Sequence, residues 1–265
     1  MHIFCYNSDM EWATKRKLAY ILSFFGIIFI IAGATYFLHI YKPPSCTDGI
    51  QNQEEMGVDC GGPCTIICSN LVSQPIILWQ RSFESAHGYY NAVAYVENPN
   101  MNLGVAEVYY SFKLYDSRGI FIVERQGKTF LVPNERFAIF EQVLSVGEII
   151  PKTTTFTFTR FSPWTKISRE KTPLTVGGPQ LSGMDTKPKI TASLQNKSLV
   201  PVKNINVTAV VYDSNENAIG ASATVVDVIP PDSSYDIVFT WLQPFSATPQ
   251  REEIIPRINP FDTSF

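Results

Sequence analysis

An uninterrupted apolar run lies near the N-terminus. It covers residues 18–41 and contains no Asp, Glu, Lys or Arg. At about 1.5 Å of rise per residue, a helix over this run would be roughly 36 Å long, which exceeds the roughly 30 Å thickness of a bilayer's hydrocarbon core. We therefore predict a transmembrane helix over residues 18–41 that contacts the lipid bilayer.

The charges flanking this run indicate its orientation. Residues 15–17 (Lys-Arg-Lys) precede it directly, whereas only Lys42 follows closely. Because cytoplasmic flanks carry the excess of Lys and Arg, residues 1–17 are predicted to be a cytoplasmic tail and the remainder to be extracytoplasmic. This describes a single-pass protein of the cell membrane. A cleaved signal peptide is the alternative, since residues 32–34 (Ala-Gly-Ala) resemble a small-x-small cleavage site.

Beyond residue 72, apolar and polar residues alternate in short runs rich in Val, Ile, Tyr, Phe and Thr. Successive side chains of a strand point to opposite faces, so a period of two predicts β-strands. Residues 105–115 are one example, and residues 205–211 are a second. In the first run, the predicted buried face consists of Val108, Tyr110, Phe112 and Leu114. We therefore predict a mainly β fold.

Four landmarks of this pattern recur at nearly one spacing. Tyr115-Asp116 precedes Tyr212-Asp213 by 97 residues, and Asn98, Pro133 and Phe137 precede Asn196, Pro231 and Tyr235 by 98 residues. A shared spacing of turn, proline and aromatic positions indicates an internal repeat. Two tandem immunoglobulin-like antiparallel β-sandwiches suit such units.

These patterns divide the extracytoplasmic part into five segments. We predict a cysteine-rich neck over residues 42–71, a first sandwich over residues 72–161 and a second over residues 186–245. Residues 162–185 combine Pro, Gly, Ser and charges with little periodicity, which is typical of a linker. The tail 246–265 carries several prolines and is expected to be extended or frayed.

The composition excludes two broad classes of protein. With 45% hydrophobic and 17% charged residues, the chain can form a packed core and is not mainly disordered. The net charge of −3 offers no electrostatic basis for a nucleic-acid partner, and none is expected.

The neck contains four of the five cysteines. They are Cys46, Cys60, Cys64 and Cys68, while Cys5 lies on the predicted cytoplasmic side. Because oxidising compartments favour disulfides, we expect two disulfides here, and the spacing leaves all three connectivities open. A tetrahedral zinc site on four thiolates is the alternative.

Acidic and amide side chains lie between these cysteines. Asp48, Asn52, Glu55 and Asp59, together with Glu54, offer the oxygen ligands that calcium prefers. The sequence therefore permits a calcium site on Asp48, Asn52, Glu55 and Asp59, with a solvated acidic turn as the alternative. We expect no other cofactor.

Two stretches resemble known families. Residues 45–52 (SCTDGIQN) and 57–64 (GVDCGGPC) resemble a C-x-D-G…D-C-G-G-x-C segment of bacterial and protist surface proteins, which implies an extracellular location. Residues 112–116 (FKLYD) match the motif of the FxLYD family of extracytoplasmic β-sandwich modules, and residues 98–100 (NPN) are similar to related late-embryogenesis-abundant domains. Residues 209–213 (AVVYD) keep only the Tyr-Asp of that motif. The FxLYD resemblance implies a binding or spacer module without catalytic residues.

Few residues are candidates for catalysis. His87 is the only histidine beyond the apolar run, and no G-x-S-x-G motif accompanies Ser85. The pair Glu252-Glu253 falls in the predicted tail, where we expect a solvated surface. Asn196 and Asn206 begin formal glycosylation sequons. We therefore expect no enzymatic activity.

Three functions remain open at this point. The first is a membrane-anchored binding or scaffold protein of the cell envelope, whose partner is an unidentified envelope protein or a polysaccharide. The second is an accessory subunit of a membrane protein complex that uses its helix as the contact. The third is an extracytoplasmic enzyme of unrecognised type.

Overall fold

The computed structural model describes residues 12–40, 45–52, 54–167 and 173–262. The chain divides into two compact units, Met1–Gly62 and Pro63–Phe265. Most of the predicted cytoplasmic tail, and residues 41–44 at the end of the predicted span, lie outside the described residues.

A long apolar helix dominates the first unit. Helix α1 covers Trp12–Thr35 and continues as a π-helical turn over Tyr36–Ile40. By length and composition, Thr14–Leu38 can cross a membrane, and none of its apolar window is buried by the residues that the structure describes. The hydroxyl of Ser23 donates to the carbonyl of Ala19 at 2.7 Å. Helical hydrogen bonding and this back-bond satisfy polar groups along the helix without water.

The second unit is built from antiparallel strands. Its described residues form thirteen strands and a short 3-10 helix over Ser69–Leu71. The strands are β1 Ile76–Ala86, β2 Tyr89–Asn98, β3 Leu103–Tyr115, β4 Phe121–Leu131, β5 Glu135–Ser145, β6 Thr153–Phe161, β7 Trp164–Lys166, β8 Leu174–Ser182, β9 Lys189–Asn196, β10 Val202–Tyr212, β11 Ala218–Ile229, β12 Ser233–Thr240 and β13 Arg251–Arg257. The predicted mainly β fold is confirmed.

Strands β1–β7 form the first sandwich. One sheet has the order β1-β2-β5 and the other β4-β3-β6, with β7 paired to β3. The inner faces of both sheets share one apolar core, in which Phe112 and Phe137 are fully buried. The face predicted from alternation over residues 105–115 is confirmed, since Val108, Tyr110, Phe112 and Leu114 are all buried.

Strands β8–β13 form the second sandwich with the same topology. Its sheets have the orders β8-β9-β12 and β11-β10-β13, so each strand has a counterpart in the first sandwich with equivalent partners. Ile205, Val207, Ala209 and Val211 point into its core and are fully buried. Both cores are closed by packing alone, because no cysteine follows Cys68.

Two predicted boundaries need correction. Residues 162–185, predicted to be a linker, contain β7 and β8, and the predicted tail 246–265 contains β13. Strand β8 pairs with β9, and β13 pairs with β10 along seven residues on each strand. Glycines in β8 and glutamates in β13 interrupt the apolar alternation that identifies a strand. The partner of β13 is the distant strand β10, whereas β8 pairs with the next strand, β9. Residues 168–172 and 263–265 lie outside the described residues.

One buried asparagine organises each sandwich. Asn98 Nδ2 donates to the carbonyls of Leu103 and Val132, both at 2.9 Å. Its counterpart Asn196 is 1% exposed, and its Nδ2 donates to the carbonyls of Val200, Ile229 and Pro230 at 2.8–3.1 Å. Each amide joins two turns at one end of a sandwich. A glycan would replace a hydrogen of Asn196 Nδ2 and break this set of bonds.

One aspartate closes the same turn in both sandwiches. Asp116 Oδ1 accepts from the backbone N–H groups of Arg118 and Ile120, each at 2.8 Å. Asp213 Oδ1 accepts from those of Asn215 and Asn217 at 2.8 and 2.9 Å. The Ile120 N–H is the main cause that lowers the pKa of Asp116, and the Asn217 N–H does the same for Asp213. These aspartates hold the turn that follows the Tyr-Asp landmark.

Replacing the buried asparagine is expected to destabilise the second sandwich. Asn196→Ala should lower the free energy of unfolding by about 2–3 kcal/mol, because buried carbonyls lose their donor. The urea unfolding of the full chain in detergent measures this change. The matched control is Asn215→Ala, whose exposed side chain should make it nearly neutral. Equal losses in the two variants would contradict the structural role of Asn196.

Candidate functional site

The four neck cysteines are all disulfide-bonded. The predicted disulfide-rich neck, with two disulfides over Cys46, Cys60, Cys64 and Cys68, is confirmed. Zinc binds deprotonated thiolates, which sulfurs in a disulfide cannot provide. The zinc alternative is therefore wrong for these residues.

The residues of the predicted calcium site form a hydrogen-bonded loop. Asp48 Oδ2 accepts from Asn52 Nδ2 at 3.0 Å, Glu55 Oε2 from Asn52 N at 3.2 Å, and both oxygens of Asp59 from Gly49 N. These bonds already organise the loop through backbone donors and the side-chain amide of Asn52. Asn52 Oδ1 is buried and has no hydrogen-bond partner among the described residues, which fits a cation ligand. Calcium binding here stays a prediction.

A third apolar core lies between the two sandwiches. It joins the outer face of the β1-β2-β5 sheet to the outer face of the β11-β10-β13 sheet. Its buried members are Val93, Ala138, Val210, Tyr212, Ala218 and Ala221. We call this set the inter-sandwich core. Because each sheet around it also covers a sandwich core, the second unit contains four sheets in a stack.

Aromatic and acidic side chains extend the inter-sandwich core. Trp79 stacks on Tyr95 with ring centroids 5.5 Å apart. The ring of Trp79 is also nearly perpendicular to that of Tyr212, with the two centroids 6.3 Å apart. Both phenols donate to Glu253, Tyr95 at 2.7 Å and Tyr212 at 3.1 Å. The expectation of a solvated Glu252-Glu253 pair is therefore wrong for Glu253, which links the two sandwiches from β13.

A buried ion pair crosses between the sandwiches beside this core. Nε and Nη2 of Arg257 donate to the two carboxylate oxygens of Glu135 at 3.1 and 2.9 Å. The same guanidinium donates to the hydroxyl of Thr129 and the carbonyl of Phe130 and lies 3.4 Å from the ring centroid of Phe137. The side chain of Arg257 is 7% exposed and that of Glu135 13%. The charges are thus largely shielded from water, and the guanidinium donates four hydrogen bonds.

A cleft of about 580 Å³ opens next to Arg257. Strands β3, β4 and β5 line one side, while β10, β11 and the segment after β13 line the other. The polar lining residues are Glu107, Tyr110, Lys128, Thr129, Glu141, Gln142, Asn204, Asn206, Thr208, Thr224, Arg257, Asn259 and Asp262. A concave volume of this size lies within the roughly 300–1,000 Å³ range of small-ligand sites. We take this cleft as the candidate site.

A tyrosine and a carboxylate meet at one wall of the cleft. The hydroxyl of Tyr110 donates to Glu141 Oε1 at 2.9 Å. Burial raises the pKa of Tyr110, and the charge of Glu141 and its hydrogen bond raise it further. Gly127 lies opposite Tyr110 in the ladder, and a Cβ there would collide with the Tyr110 hydroxyl and the Glu141 carboxylate. Glycine therefore allows this contact to form.

Two charged residues of the cleft lining, Lys128 and Glu107, pair with each other. Lys128 Nζ lies 2.8 Å from Glu107 Oε2, and the hydroxyl of Tyr109 also donates to Glu107. The Lys128 hydrogen bond, followed by that of Tyr109, lowers the pKa of Glu107, while Glu107 raises the pKa of Lys128. Both side chains thus remain charged near neutral pH and neutralise each other.

The histidine considered for catalysis lies on the surface. His87 Nε2 is 3.5 Å from Glu148 Oε2, and both side chains are more than four-fifths exposed. The hydroxyl of Ser85 donates to the carbonyl of Tyr89 and not to His87. These residues do not form a Ser-His-Asp arrangement.

From the sequence, Tyr110 was identified only as a core residue and Asn206 only as a sequon, and the residues that join the two sandwiches beside the cleft were not identified. Arg257 and Glu253 fall in the predicted tail, and Glu135 is the first residue of β5, directly after a turn. Their only sequence signal is a period of two along residues 251–257, with Glu253, Ile255 and Arg257 on one face. The contacts of that face appear only once the two sandwiches are stacked.

Comparisons with known proteins identify no family for the chain. No family and no curated protein matches it. It is similar to a red sea bream transglutaminase at 10% identity, over 71% of this chain and 31% of that one, with a TM-score of 0.22. It is also similar to a β-glucuronidase from glycoside hydrolase family 2 at 13% identity, over 77% and 25%, again with a TM-score of 0.22. The chain thus covers less than a third of either protein.

Removing the buried guanidinium is expected to destabilise the second unit strongly. Arg257→Ala should lower the free energy of unfolding by about 3–5 kcal/mol, because Glu135 is left buried without its counter-charge. Arg136→Ala is the matched control, since the Arg136–Glu97 pair at 2.9 Å has a 65% exposed arginine, and it should cost less than about 1 kcal/mol.

Urea unfolding of the full chain measures both changes. The double variant Arg257→Met with Glu135→Leu should recover much of the loss, because no unpaired charge stays buried. A similar small loss in Arg257→Ala and Arg136→Ala would contradict the structural role of the buried pair.

Three phenols in the stack are expected to ionise late. Burial, followed by contact with Glu253, raises the pKa values of Tyr95 and Tyr212, and Tyr110 is raised by burial and Glu141. A raised pKa means that the unfolded chain releases these protons first. Their stabilisation is therefore complete below the ordinary phenol pKa of about 10 and declines as the pH rises above it.

Ultraviolet titration of tyrosinate measures this behaviour. Of the twelve tyrosines, these three should ionise only with alkaline unfolding, and Tyr95→Phe should reduce that late step. A single ionisation step of all tyrosines in the folded chain near pH 10 would show that the three phenols are accessible.

Proposed function

We propose that this chain is a single-pass, membrane-anchored extracytoplasmic binding protein of the cell envelope, without catalytic activity. The observation that carries the proposal is α1, an apolar helix of membrane-spanning length whose apolar window is not covered by any of the described residues. So large an apolar surface requires an apolar environment. A bilayer provides one along the whole helix.

The course of the helix supports an anchor over a cleaved signal peptide. Helical structure continues past Ala34 through the turn Tyr36–Ile40, where Tyr36, Phe37 and Leu38 are exposed. A cleavage region does not require this apolar continuation, whereas a membrane span does. The flanking charges of residues 15–17 support a cytoplasmic N-terminus.

The disulfides support an extracytoplasmic position for the rest of the chain. All four neck cysteines are oxidised, and disulfides persist in oxidising compartments. The resemblance of the neck to surface-protein segments implies the same location.

The two sandwiches are proposed to be diverged copies of one FxLYD-like, immunoglobulin-like module. Their identical strand orders support this, and so do the matching roles of Asn98 with Asn196 and of Asp116 with Asp213. The landmarks shared by both copies hold turns and carry no reactive group. We therefore assign binding to the cleft between the copies, whose lining residues are not repeated.

Membrane extraction and protease accessibility test this function. The full chain should stay with membranes in alkaline carbonate, and a variant lacking residues 12–40 should be released. Protease added outside intact cells should degrade the second unit, while a cytoplasmic marker protein survives until lysis.

Release of the intact chain by carbonate would contradict the anchor. Protection of the second unit in intact cells, with digestion only after lysis, would contradict the proposed orientation. A partner retained in mild detergent after deletion of residues 72–265 would instead favour an accessory subunit that binds through its helix.

A further inference from the structure

We infer that the cleft between the sandwiches binds a neutral oligosaccharide. This inference rests on the proposed extracytoplasmic binding function and names the ligand class of that same site. The polar lining is rich in neutral amide and hydroxyl side chains, which are Thr129, Gln142, Asn204, Asn206, Thr208, Thr224 and Asn259. Amides and hydroxyls both donate and accept hydrogen bonds, as sugar hydroxyl groups do.

The spacing of these groups suits a chain of sugar rings. Asn206 and Thr208 alternate along β10, which places their side chains on one face about 6.6–6.8 Å apart. Asn204 and Asn206 are exposed at the cleft. The wall opposite β10 adds the exposed amide of Gln142 on β5. The cleft therefore offers donors and acceptors from both sandwiches.

The charges of the cleft disfavour an anionic ligand. Among the described lining residues the cations are Lys128 and Arg257, and each is paired with a carboxylate, Glu107 and Glu135 respectively. Binding a phosphate or an acidic polysaccharide would require one of these pairs to break. The carboxylates of the lining can instead accept hydroxyl donors from a neutral ligand.

Apolar surface lies beside the amides. Val225 is 61% exposed and pairs with Asn206 across the β10–β11 ladder, so both side chains share one face. Phe140 is half-buried on the opposite side of the cleft. Pyranose rings present C–H faces as well as hydroxyl edges, and these faces pack against apolar side chains. Both kinds of surface are thus present.

The edge strands of the cleft argue against an extended peptide. A peptide that adds to a sheet needs a continuous row of free backbone groups. On β4 the carbonyl of Phe130 accepts from Arg257 Nη2 at 2.8 Å. On β5 the N–H of Val143 donates to Asn91 Oδ1 and its carbonyl accepts from Arg125. Side chains therefore interrupt two of the three edge strands at the cleft, β11 being the third, and we assign recognition to the side chains of the lining.

Glycan binding by the full chain in lipid nanodiscs tests the inference. The chain is produced in a host without N-glycosylation, because Asn206 begins a sequon, and is applied to an array of neutral and acidic oligosaccharides. Calorimetric titration with the neutral oligosaccharide that binds then gives Kd. Asn206→Ala and Gln142→Ala should each raise Kd about tenfold, as expected for one lost hydrogen bond.

The matched control is Gln195→Ala. Gln195 is also an exposed glutamine on a strand, but it lies on β9, outside the cleft lining. Its replacement should leave Kd unchanged. Thermal midpoints of all three variants should equal that of the parent chain, which separates loss of contact from loss of folding.

Three outcomes would overturn the inference. They are the absence of neutral glycan binding, binding of acidic glycans only, and neutral glycan binding that Asn206→Ala and Gln142→Ala leave unchanged. If the chain resists carbonate extraction and is accessible to protease as proposed, one of these outcomes would overturn only the proposed ligand class. Failure of the location tests would instead overturn the proposed function.

Discussion

The ion pair between Arg257 and Glu135 is the constraint on which the arrangement of the second unit depends. A guanidinium that is 7% exposed is tolerated only where a carboxylate neutralises it and further acceptors bind its N–H groups. Glu135, Thr129 and the Phe130 carbonyl do this from the first sandwich, while Arg257 comes from the second. The pair therefore restricts the relative placement of the two sandwiches.

This placement explains why the two sandwiches belong to one compact unit. The outer faces of two sheets carry apolar side chains where polar ones are usual, and the inter-sandwich core buries Val93, Val210 and Ala221 between them. The Glu253 carboxylate accepts from one phenol of each sandwich. Packing and hydrogen bonding thus reinforce the same geometry, and a cleft of defined shape results from it.

The two sandwiches share their framework and differ at the cleft. Asn98 and Asn196 perform the same task, as do Asp116 and Asp213, because every copy of this topology must close the same turns. Tyr110 and Lys128 line the cleft from the first sandwich, and Asn206 lines it from the second. Residues common to both copies are therefore structural, whereas the cleft uses residues that are specific to one copy.

Local patterns in the sequence determined the elements whose physical cause is local. The apolar run specified α1, alternation specified the buried faces of β3 and β10, and clustered cysteines specified the disulfide-bonded neck. Strands β8 and β13, the Arg257–Glu135 pair and the cleft were decided by the tertiary structure alone. Glu135 and Arg257 are 122 positions apart, and no periodicity within a strand encodes which distant face will cover it.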